Sequence, residues 1–105
     1  MSLKPVDVKT VEKWLADGDC VLVDIREPNE TAAERIPGAK LVPLSGIGND
    51  PIADLGDKPV VFHCKGGMRT QKFENQLSGC AGGCEGFYLE GGIEAWKKAG
   101  HKVES

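Results

Sequence analysis

A chain of 105 residues, of which 40% are hydrophobic and 28% charged, has the size and composition of a folded domain, and wholesale disorder is excluded. The net charge of −3 gives no electrostatic reason to expect nucleic acid or an anionic membrane as a partner. No apolar run approaches the ~20 residues needed to cross a bilayer, and no signal peptide precedes the first helix-like segment, so we expect a cytoplasmic protein without a membrane segment.

The first half of the chain alternates helical and extended patterns. DVKTVEKWLADGD has apolar residues at helical spacing, with Asp7 as the expected N-cap and Gly18 as the stop. CVLVDIR is typical of a strand buried on both faces. EPNETAAER predicts a short helix introduced by Pro28, IPGA a turn, and KLVPL a second strand.

The second half continues this alternation. SGIGNDPIADLGDKP is rich in loop residues, with one helical turn at PIADL, and VVFHC is a third buried strand. A helix from about residue 70 to 77 ends at GCAGG, GFYLEG is a fourth strand, and GIEAWKKAGHKVE is an amphipathic helix with Ile93 and Trp96 facing the core. The pattern predicts an α/β fold, a single domain over residues 1–105 with a mostly parallel central sheet covered on both faces. The opening Met-Ser-Leu of residues 1–3 has the form of a cloning leader.

Polar and reactive residues follow the ends of three predicted strands. Asp24 and Arg26 end the first, residues 64–69 follow the third, and residues 90–92 follow the fourth. Ligands of parallel sheets bind beyond the carboxyl ends of the strands, so we expect these three clusters to converge.

The segment CKGGMR combines a cysteine with features that stabilise an anion. Free N–H groups and the dipole at a helix start favour the thiolate of Cys64, and Gly66 and Gly67 let the backbone curl around it. Lys65 and Arg69 add positive charge. An inert buried cysteine is the alternative, but the glycine pair and the two basic residues favour a reactive one.

The length of this loop separates two kinds of cysteine chemistry. Cysteine-dependent phosphatases have five residues between cysteine and arginine, whereas four residues separate Cys64 from Arg69. Thr70 stands at the seventh position and cannot supply the bidentate fork that binds phosphate. The shorter ring suits a single extra sulfur atom better than a phosphate group.

The other cysteines and the histidines are expected to be structural or exposed. The four cysteines lack the spacing of a zinc site, and Cys20 is expected to be a small core residue. Cys80 and Cys84 could close a small disulfide, but reduced thiols are the preferred interpretation. We expect His63 to be a packed, hydrogen-bonded residue and His101 to be exposed.

Four segments in order resemble the motifs of the rhodanese family, from about Val6 to Val103. VLVDIREPNE is similar to the family's first signature, IPGA to its second, CKGGMR to the six-residue active-site loop, and LEGGIEAWKKAGHKV to the closing signature. There are three departures. Thr31 replaces an aromatic residue, Glu34 and Arg35 replace Gly-His, and the loop differs from the Cys-Arg-Lys-Gly-Val-Thr type of dedicated thiosulfate enzymes.

The resemblance implies a three-layer rhodanese-like domain and a sulfurtransferase that works without a metal or another cofactor. Cys64 would take a sulfane sulfur from a donor such as thiosulfate or glutathione persulfide, and a thiol or cyanide would remove it from the persulfide. Arg69 would anchor the loop or bind the donor. The loop residues expected to hold the anion are Lys65, Gly66, Gly67, Met68 and Thr70.

The resemblance also gives roles to two supporting residues and leaves a second function open. Asp24 would hold the loop by hydrogen bonds and Arg26 would line the pocket, the alternative being a solvated turn with a surface ion pair. The alternative function is a non-catalytic module that binds a partner or senses sulfur or redox state. A protein thiol is a further candidate acceptor. Similar domains also occur tethered to membranes by a C-terminal tail, which would lie beyond Ser105.

Overall fold

The computed structural model describes residues 3–43, 58–66, 68–80 and 85–104, and these ranges form a parallel sheet with helices on both faces. The strands are β1 (Lys4–Val6), β2 (Val21–Asp24), β3 (Lys40–Leu41), β4 (Val60–His63) and β5 (Gly86–Leu89). The helices are α1 (Val8–Asp17), α2 (Pro28–Ala33), α3 (Met68–Lys72), α4 (Glu74–Cys80) and α5 (Gly92–Lys98).

The strand order is β1-β5-β4-β2-β3, and every described pair is parallel. β4 lies at the centre, where Val61 pairs with Leu22 of β2 and Phe87 of β5. All four residues of β4 are buried, as its uninterrupted β-branched and aromatic run predicts for a strand covered on both faces.

Successive side chains of the central strands enter two separate cores. Val60 and Phe62 pack with Leu77 of α4 in what we call the α4-side core. Val61, one residue along the same strand, packs with Ile93 of α5 in the α5-side core. This alternation is the period of two of a β-strand, and it confirms the predicted three-layer arrangement. The α5-side core comprises Val6, Val11, Cys20, Leu22, Ile36, Val61, Leu89, Ile93 and Trp96.

Helix α1 forms as its sequence predicts. The Asp7 side chain accepts a hydrogen bond from the Thr10 backbone N–H at 2.9 Å, and this bond lowers the pKa of the carboxyl. Gly18 ends the helix in the left-handed conformation at φ 72°, which glycine adopts without a Cβ clash. Val11 of the apolar face is fully buried.

Strand β1 is present although the sequence pattern does not predict it. It has three residues, too few to show alternation, and it contains Pro5, which argues against a central strand. The strand lies at the edge of the sheet, where a residue without an N–H is tolerated. Leu3, just before it, is buried in the α4-side core.

Three other predicted elements differ in extent. Strand β3 contains only Lys40–Leu41 of the predicted KLVPL, and the last residue of that segment lies outside the described ranges. The helical turn predicted at PIADL also lies outside them. The helix expected at about 70–77 is instead α3 and α4, which start earlier, end later and are separated at Phe73. α5 stops at Lys98, and Glu104 forms an antiparallel bridge with Arg35. None of the described helices is long and apolar enough to span a membrane.

Candidate active site

Cys64 directly follows β4 at the carboxyl edge of the sheet. Its side chain is only 1% exposed, yet it lines a cavity of about 330 Å³. The Sγ atom lies 4.0 Å from the Oγ1 atom of Thr70, a fully buried residue of α3. Met68, 81% exposed, stands at the mouth of this cavity. The cavity residues are Cys64, Lys65, Gly66, Met68, Arg69 and Glu94.

The backbone of the loop is held by the start of α5. The Ile93 N–H donates to the Cys64 carbonyl at 2.9 Å, and the Glu94 N–H donates to the Lys65 carbonyl at 3.0 Å. Gly92 makes this approach possible, because a Cβ there would lie 2.4 Å from the Cys64 oxygen and 2.6 Å from the Lys65 oxygen. The φ of Gly92, +59°, also favours glycine. The closing Gly-Gly pair of the sequence is thus part of the site.

Arg69 is held by a carboxylate of α2. Its two terminal nitrogens donate to the two Glu30 oxygens, each at 2.8 Å, in a bidentate pair about one-third exposed. The hydrogen bonds from Arg69 lower the pKa of Glu30 to about 2, and those same bonds raise the pKa of Arg69. Glu30 also accepts from the Glu27 N–H in a capping box at the start of α2. The pair therefore ties α3 to α2 across the cavity.

Asp24 and Arg26 form a buried network beside the loop. The Asp24 carboxylate accepts from the Arg26 backbone N–H at 2.9 Å, from its Nη2 at 2.8 Å, and from the Thr31 hydroxyl at 2.9 Å. Burial opposes the charge on Asp24, but the Arg26 hydrogen bonds and the nearby His63 prevail and lower the pKa of the carboxyl. Both Asp24 and Arg26 are at most 3% exposed, so the alternative of a solvated surface pair is wrong.

Thr31 owes its place in this network to its hydroxyl. Thr31 departs from the aromatic residue that the rhodanese resemblance leads one to expect. In the structure it lies in α2, and its hydroxyl donates a hydrogen bond to Asp24. Arg26 extends the same network by donating to the Glu34 carbonyl at 2.7 Å.

His63 is fully buried at the end of β4. Its Nδ1 lies 3.3 Å from the Cys64 carbonyl, and its Nε2 lies 3.8 Å from Asp24 Oδ2, without a hydrogen-bond partner among the described residues. Burial lowers the pKa of the imidazole. His63 is therefore packed as expected from the sequence, but only its Nδ1 is within hydrogen-bond distance of a partner, while its Nε2 lies near Asp24 without a hydrogen bond. The expectation of an exposed His101 is wrong: its side chain is only 23% exposed, its ring lies 4.7 Å from that of Trp96, and its Nε2 lies 3.1 Å from Glu12.

A second cavity of about 270 Å³ adjoins the first. Lys65 and Glu94 line both cavities. Arg26 lines the second cavity, in agreement with the pocket position that the family resemblance implies for it. Ile93 supplies an apolar wall. The remaining lining residues are Glu30, Ala33, Glu34 and Lys97.

The three strand-end clusters predicted to converge do meet at this edge, but two acidic residues were not predicted as part of the site. Glu30 follows the Asp-x-Arg signature in the segment EPNE, and this spacing is the sequence feature that could have marked it as a site residue. Glu94 follows the Gly-Gly pair, and nothing in its spacing marks it. Gly67, predicted in the loop, lies outside the described residues.

The other cysteines are accounted for only in part. Cys20 is buried in the α5-side core as predicted, and burial raises the pKa of its thiol to about 11. The backbone of Cys80 ends α4, while its side chain and Cys84 lie outside the described ranges. Within the described ranges, no three His, Cys, Asp or Glu residues lie close enough together to hold a metal ion.

Comparisons with known proteins agree with the fold and show the family of the chain. The family model of the Rhodanese-like domain matches residues 7–99. The chain is 31% identical over 106 residues to thiosulfate sulfurtransferase GlpE of Pseudoalteromonas translucida, covering 99% of both chains. It is 36% identical over 93 residues to an uncharacterized protein of Synechocystis sp., of which it spans only about half, 51%. A crystal structure of thiosulfate sulfurtransferase from Pseudomonas aeruginosa superposes with a TM-score of 0.83 at 24% identity, covering all of this chain and 20% of that one.

Proposed function

Because the chain belongs to the rhodanese-like domain family, we propose that it is a sulfurtransferase in which Cys64 carries a sulfane sulfur as a persulfide. The observation that carries this proposal is the position of Cys64: its side chain is buried, but it forms part of the wall of an open cavity at the carboxyl edge of the sheet. A small donor can therefore reach a sulfur atom that bulk solvent barely contacts.

In the first half-reaction, the Cys64 thiolate attacks the outer sulfur of the donor. With thiosulfate, the bond between the two donor sulfurs breaks, and sulfite leaves with the electron pair. With glutathione persulfide, the glutathione thiolate leaves in the same way. The product in both cases is a Cys64 persulfide, and no cofactor is needed because the nucleophile and the carrier are the same atom.

In the second half-reaction, an acceptor thiolate or cyanide attacks the outer sulfur of this persulfide, and Cys64 leaves as a thiolate. This regenerates the enzyme without net oxidation or reduction. A low-molecular-weight thiol or a protein thiol is the proposed cellular acceptor.

The fixed loop backbone supports the stabilisation of the persulfide anion. The carbonyls of Cys64 and Lys65 are turned toward α5, where they accept hydrogen bonds. Since the N–H of a trans peptide points opposite to its carbonyl, the N–H groups of Lys65 and Gly66 point away from α5. Such preoriented N–H groups stabilise an anion in the manner of an oxyanion hole.

The pairing of Arg69 favours sulfur transfer over phosphate hydrolysis. Both ends of its guanidinium fork are used by Glu30, so Arg69 fixes the loop rather than offering the free fork that a phosphate group needs.

The test is the intact mass of the protein after incubation with thiosulfate, and separately with glutathione persulfide. We expect a gain of about 32 Da, the mass of one sulfur, that cyanide or a thiol reverses. Cys64→Ser should not gain this mass, whereas Cys20→Ser, which removes a thiol from the closed core, should gain it normally. If neither donor loads the wild-type protein, the sulfurtransferase proposal fails and a non-catalytic binding or sensing module becomes the better account.

A further inference from the structure

Most charged groups around the two cavities are neutralised by a partner within the protein. Arg69 is paired with Glu30, Arg26 with Asp24, and Lys97 with Glu34 at 2.7 Å. The basic residues of the site thus offer much less positive charge to a ligand than the sequence suggests.

Lys65 and Glu94 are the exceptions. Both side chains are exposed, both line each of the two cavities, and neither has an ion-pair partner within the described ranges. They are not joined to each other, although the Glu94 N–H is bonded to the Lys65 carbonyl at 3.0 Å. Among the described residues, one positive and one negative side chain therefore remain without an ion-pair partner where the cavities meet.

The Glu94 carboxylate lies against the loop that follows Cys64. Its Oε1 lies 3.0 Å from where a Cβ of residue 66 would be, so the carboxylate rests over Gly66, two residues from the nucleophile. A dianion that enters the Cys64 cavity has to approach this carboxylate, and at such short range the repulsion is only partly screened.

We propose that Glu94, with Lys65, selects sulfur donors that carry an α-amino-acid head group and disfavours small dianions such as thiosulfate. The ammonium of the head group pairs with Glu94, and its carboxylate pairs with Lys65. This inference rests on the proposed sulfurtransferase activity and makes Glu94 its specificity-determining residue.

The size of the site supports this choice of donor. Thiosulfate needs only the cavity that contains Cys64, whereas the second cavity continues away from the sulfur along Ile93 and Ala33. A peptide persulfide such as glutathione persulfide is long enough to place its persulfide at Cys64 while its amino-acid head group occupies the junction. Apolar walls with a few charged groups that fix orientation are typical of small-molecule sites.

The reaction balances with such a donor. The Cys64 thiolate forms a bond to the outer sulfur of the donor persulfide, the sulfur–sulfur bond of the donor breaks, and the peptide thiolate leaves with the bonding electrons. No oxidant or reductant is consumed.

The test compares the second-order rate of Cys64 persulfide formation, followed by intact mass, for three donors: thiosulfate, glutathione persulfide and N-acetylglutathione persulfide. In the last donor, acetylation replaces the ammonium with a neutral amide that carries a small acetyl group. We expect wild type to react about three- to tenfold faster with the unacetylated donor, the range for one partly exposed charge pair. Glu94→Gln should abolish that preference and raise the thiosulfate rate about threefold, and Glu94→Lys should raise it further.

Glu85→Gln is the matched control. It removes the same charge at the opposite edge of the sheet, before β5, where Glu85 pairs with Lys4. The control should retain the wild-type rates with all three donors. Equal effects of Glu94→Gln on all donors, or none, would overturn the inference while leaving the proposed function intact. Failure of every donor to load the wild-type protein would overturn both.

Discussion

Cys64 and Cys20 are almost equally buried, yet they lie in opposite settings. Their side chains are 1% and 7% exposed, and each adjoins a central strand of the same parallel sheet. Cys20 immediately precedes β2 at the amino edge and is enclosed by the α5-side core. Cys64 follows β4 at the carboxyl edge and lines a cavity. Burial alone therefore does not separate a cysteine enclosed in the core from one that lines a cavity; the edge of the sheet at which each lies does.

The groups that surround the two thiols also differ in polarity. Cys20 is surrounded by apolar side chains, and its burial raises the pKa of the thiol to about 11. Around Cys64 the backbone is fixed by hydrogen bonds from α5, and the side chains of Asp24, Arg26 and His63 form a polar layer beside it. Four substitutions or titrations test this contrast.

The largest effect is expected for Gly92→Ala, on the Cys64 side. The new Cβ would meet two backbone carbonyls at 2.4 and 2.6 Å, and the residue would keep a positive φ. We expect the free energy of unfolding to fall by about 3–4 kcal/mol, from overpacking plus left-handed strain, and sulfur loading of Cys64 to slow at least tenfold. Chemical denaturation and intact mass measure the two effects.

Gly18→Ala is the matched variant on the Cys20 side. Gly18 has a similar φ of 72°, but no atom lies within 4 Å of its Cβ position. It should cost only about 1 kcal/mol and leave sulfur loading unchanged. Equal losses of stability in the two variants would mean that α5 does not hold the loop as closely as the structure shows.

Asp24→Asn tests the polar layer beside Cys64. The substitution leaves Arg26 charged and 3% exposed without its anionic partner. We expect a loss of about 3 kcal/mol in the free energy of unfolding. Asp7→Asn, at the exposed start of α1, should leave denaturation unchanged because asparagine caps a helix as well as aspartate. If Asp24→Asn denatures like wild type, the buried network does not support the site.

A titration tests the Cys20 side. The folded pKa of Cys20, about 11, lies above its ordinary value of 9.0, so the stabilisation is complete below pH 9 and is lost as the pH rises toward 11. We expect wild type to lose about 2 kcal/mol relative to Cys20→Ala over that interval, measured by denaturation under reducing conditions. A constant difference between the two proteins would show that Cys20 is not enclosed as described.

The smallest effect is expected for Glu30→Gln, which breaks the pair with Arg69. Because the folded pKa of Glu30, about 2, is below its ordinary value of 4.5, the stabilisation is present above pH 4.5 and is lost as the pH falls toward 2. At neutral pH we expect a loss of about 1 kcal/mol, after allowing for solvent around a pair about one-third exposed.

The Lys4–Glu85 pair provides the comparison for that variant. Its side chains are 69% and 53% exposed, so Glu85→Gln should barely change the denaturation midpoint at any pH. A Glu30→Gln effect that persists unchanged to pH 2.5 would contradict a stabilisation through the ionised carboxylate.

Sequence reasoning predicted the helices and strands whose ends and burial depend on neighbouring residues. Asp7 and Gly18 marked the ends of α1 because capping depends on a few neighbouring residues, and the apolar run of β4 marked a strand buried on both faces. It failed at β1, where Pro5 and a length of three residues hide a strand that only its partner β5 stabilises. The strand order depends on such pairings between distant segments, which local sequence patterns do not specify.

The same division holds at the site. Cys64, Gly66 and Arg69 could be proposed as site residues because they are close together in the sequence of one loop. Glu30 had only its spacing after the Asp-x-Arg signature as a signal, and Glu94 had none, since each reaches the site only after helices distant in the chain are packed together. The resemblance implies that Arg69 either anchors the loop or binds the donor. Its bidentate pair with Glu30 corresponds to the anchoring position.

The sequence by itself therefore determined the fold class and the family, and it indicated Cys64 as the candidate nucleophile at the head of a short loop. Only the tertiary structure decided which charges near Cys64 are neutralised and which remain free. The physical reason is range: caps, strand period and loop length act between neighbouring residues, whereas ion pairs and cavities join residues that the chain separates by tens of positions. Lys65 and Glu94 look like two ordinary surface charges in the sequence, and only packing leaves them as the unpaired groups at the mouth of the described site.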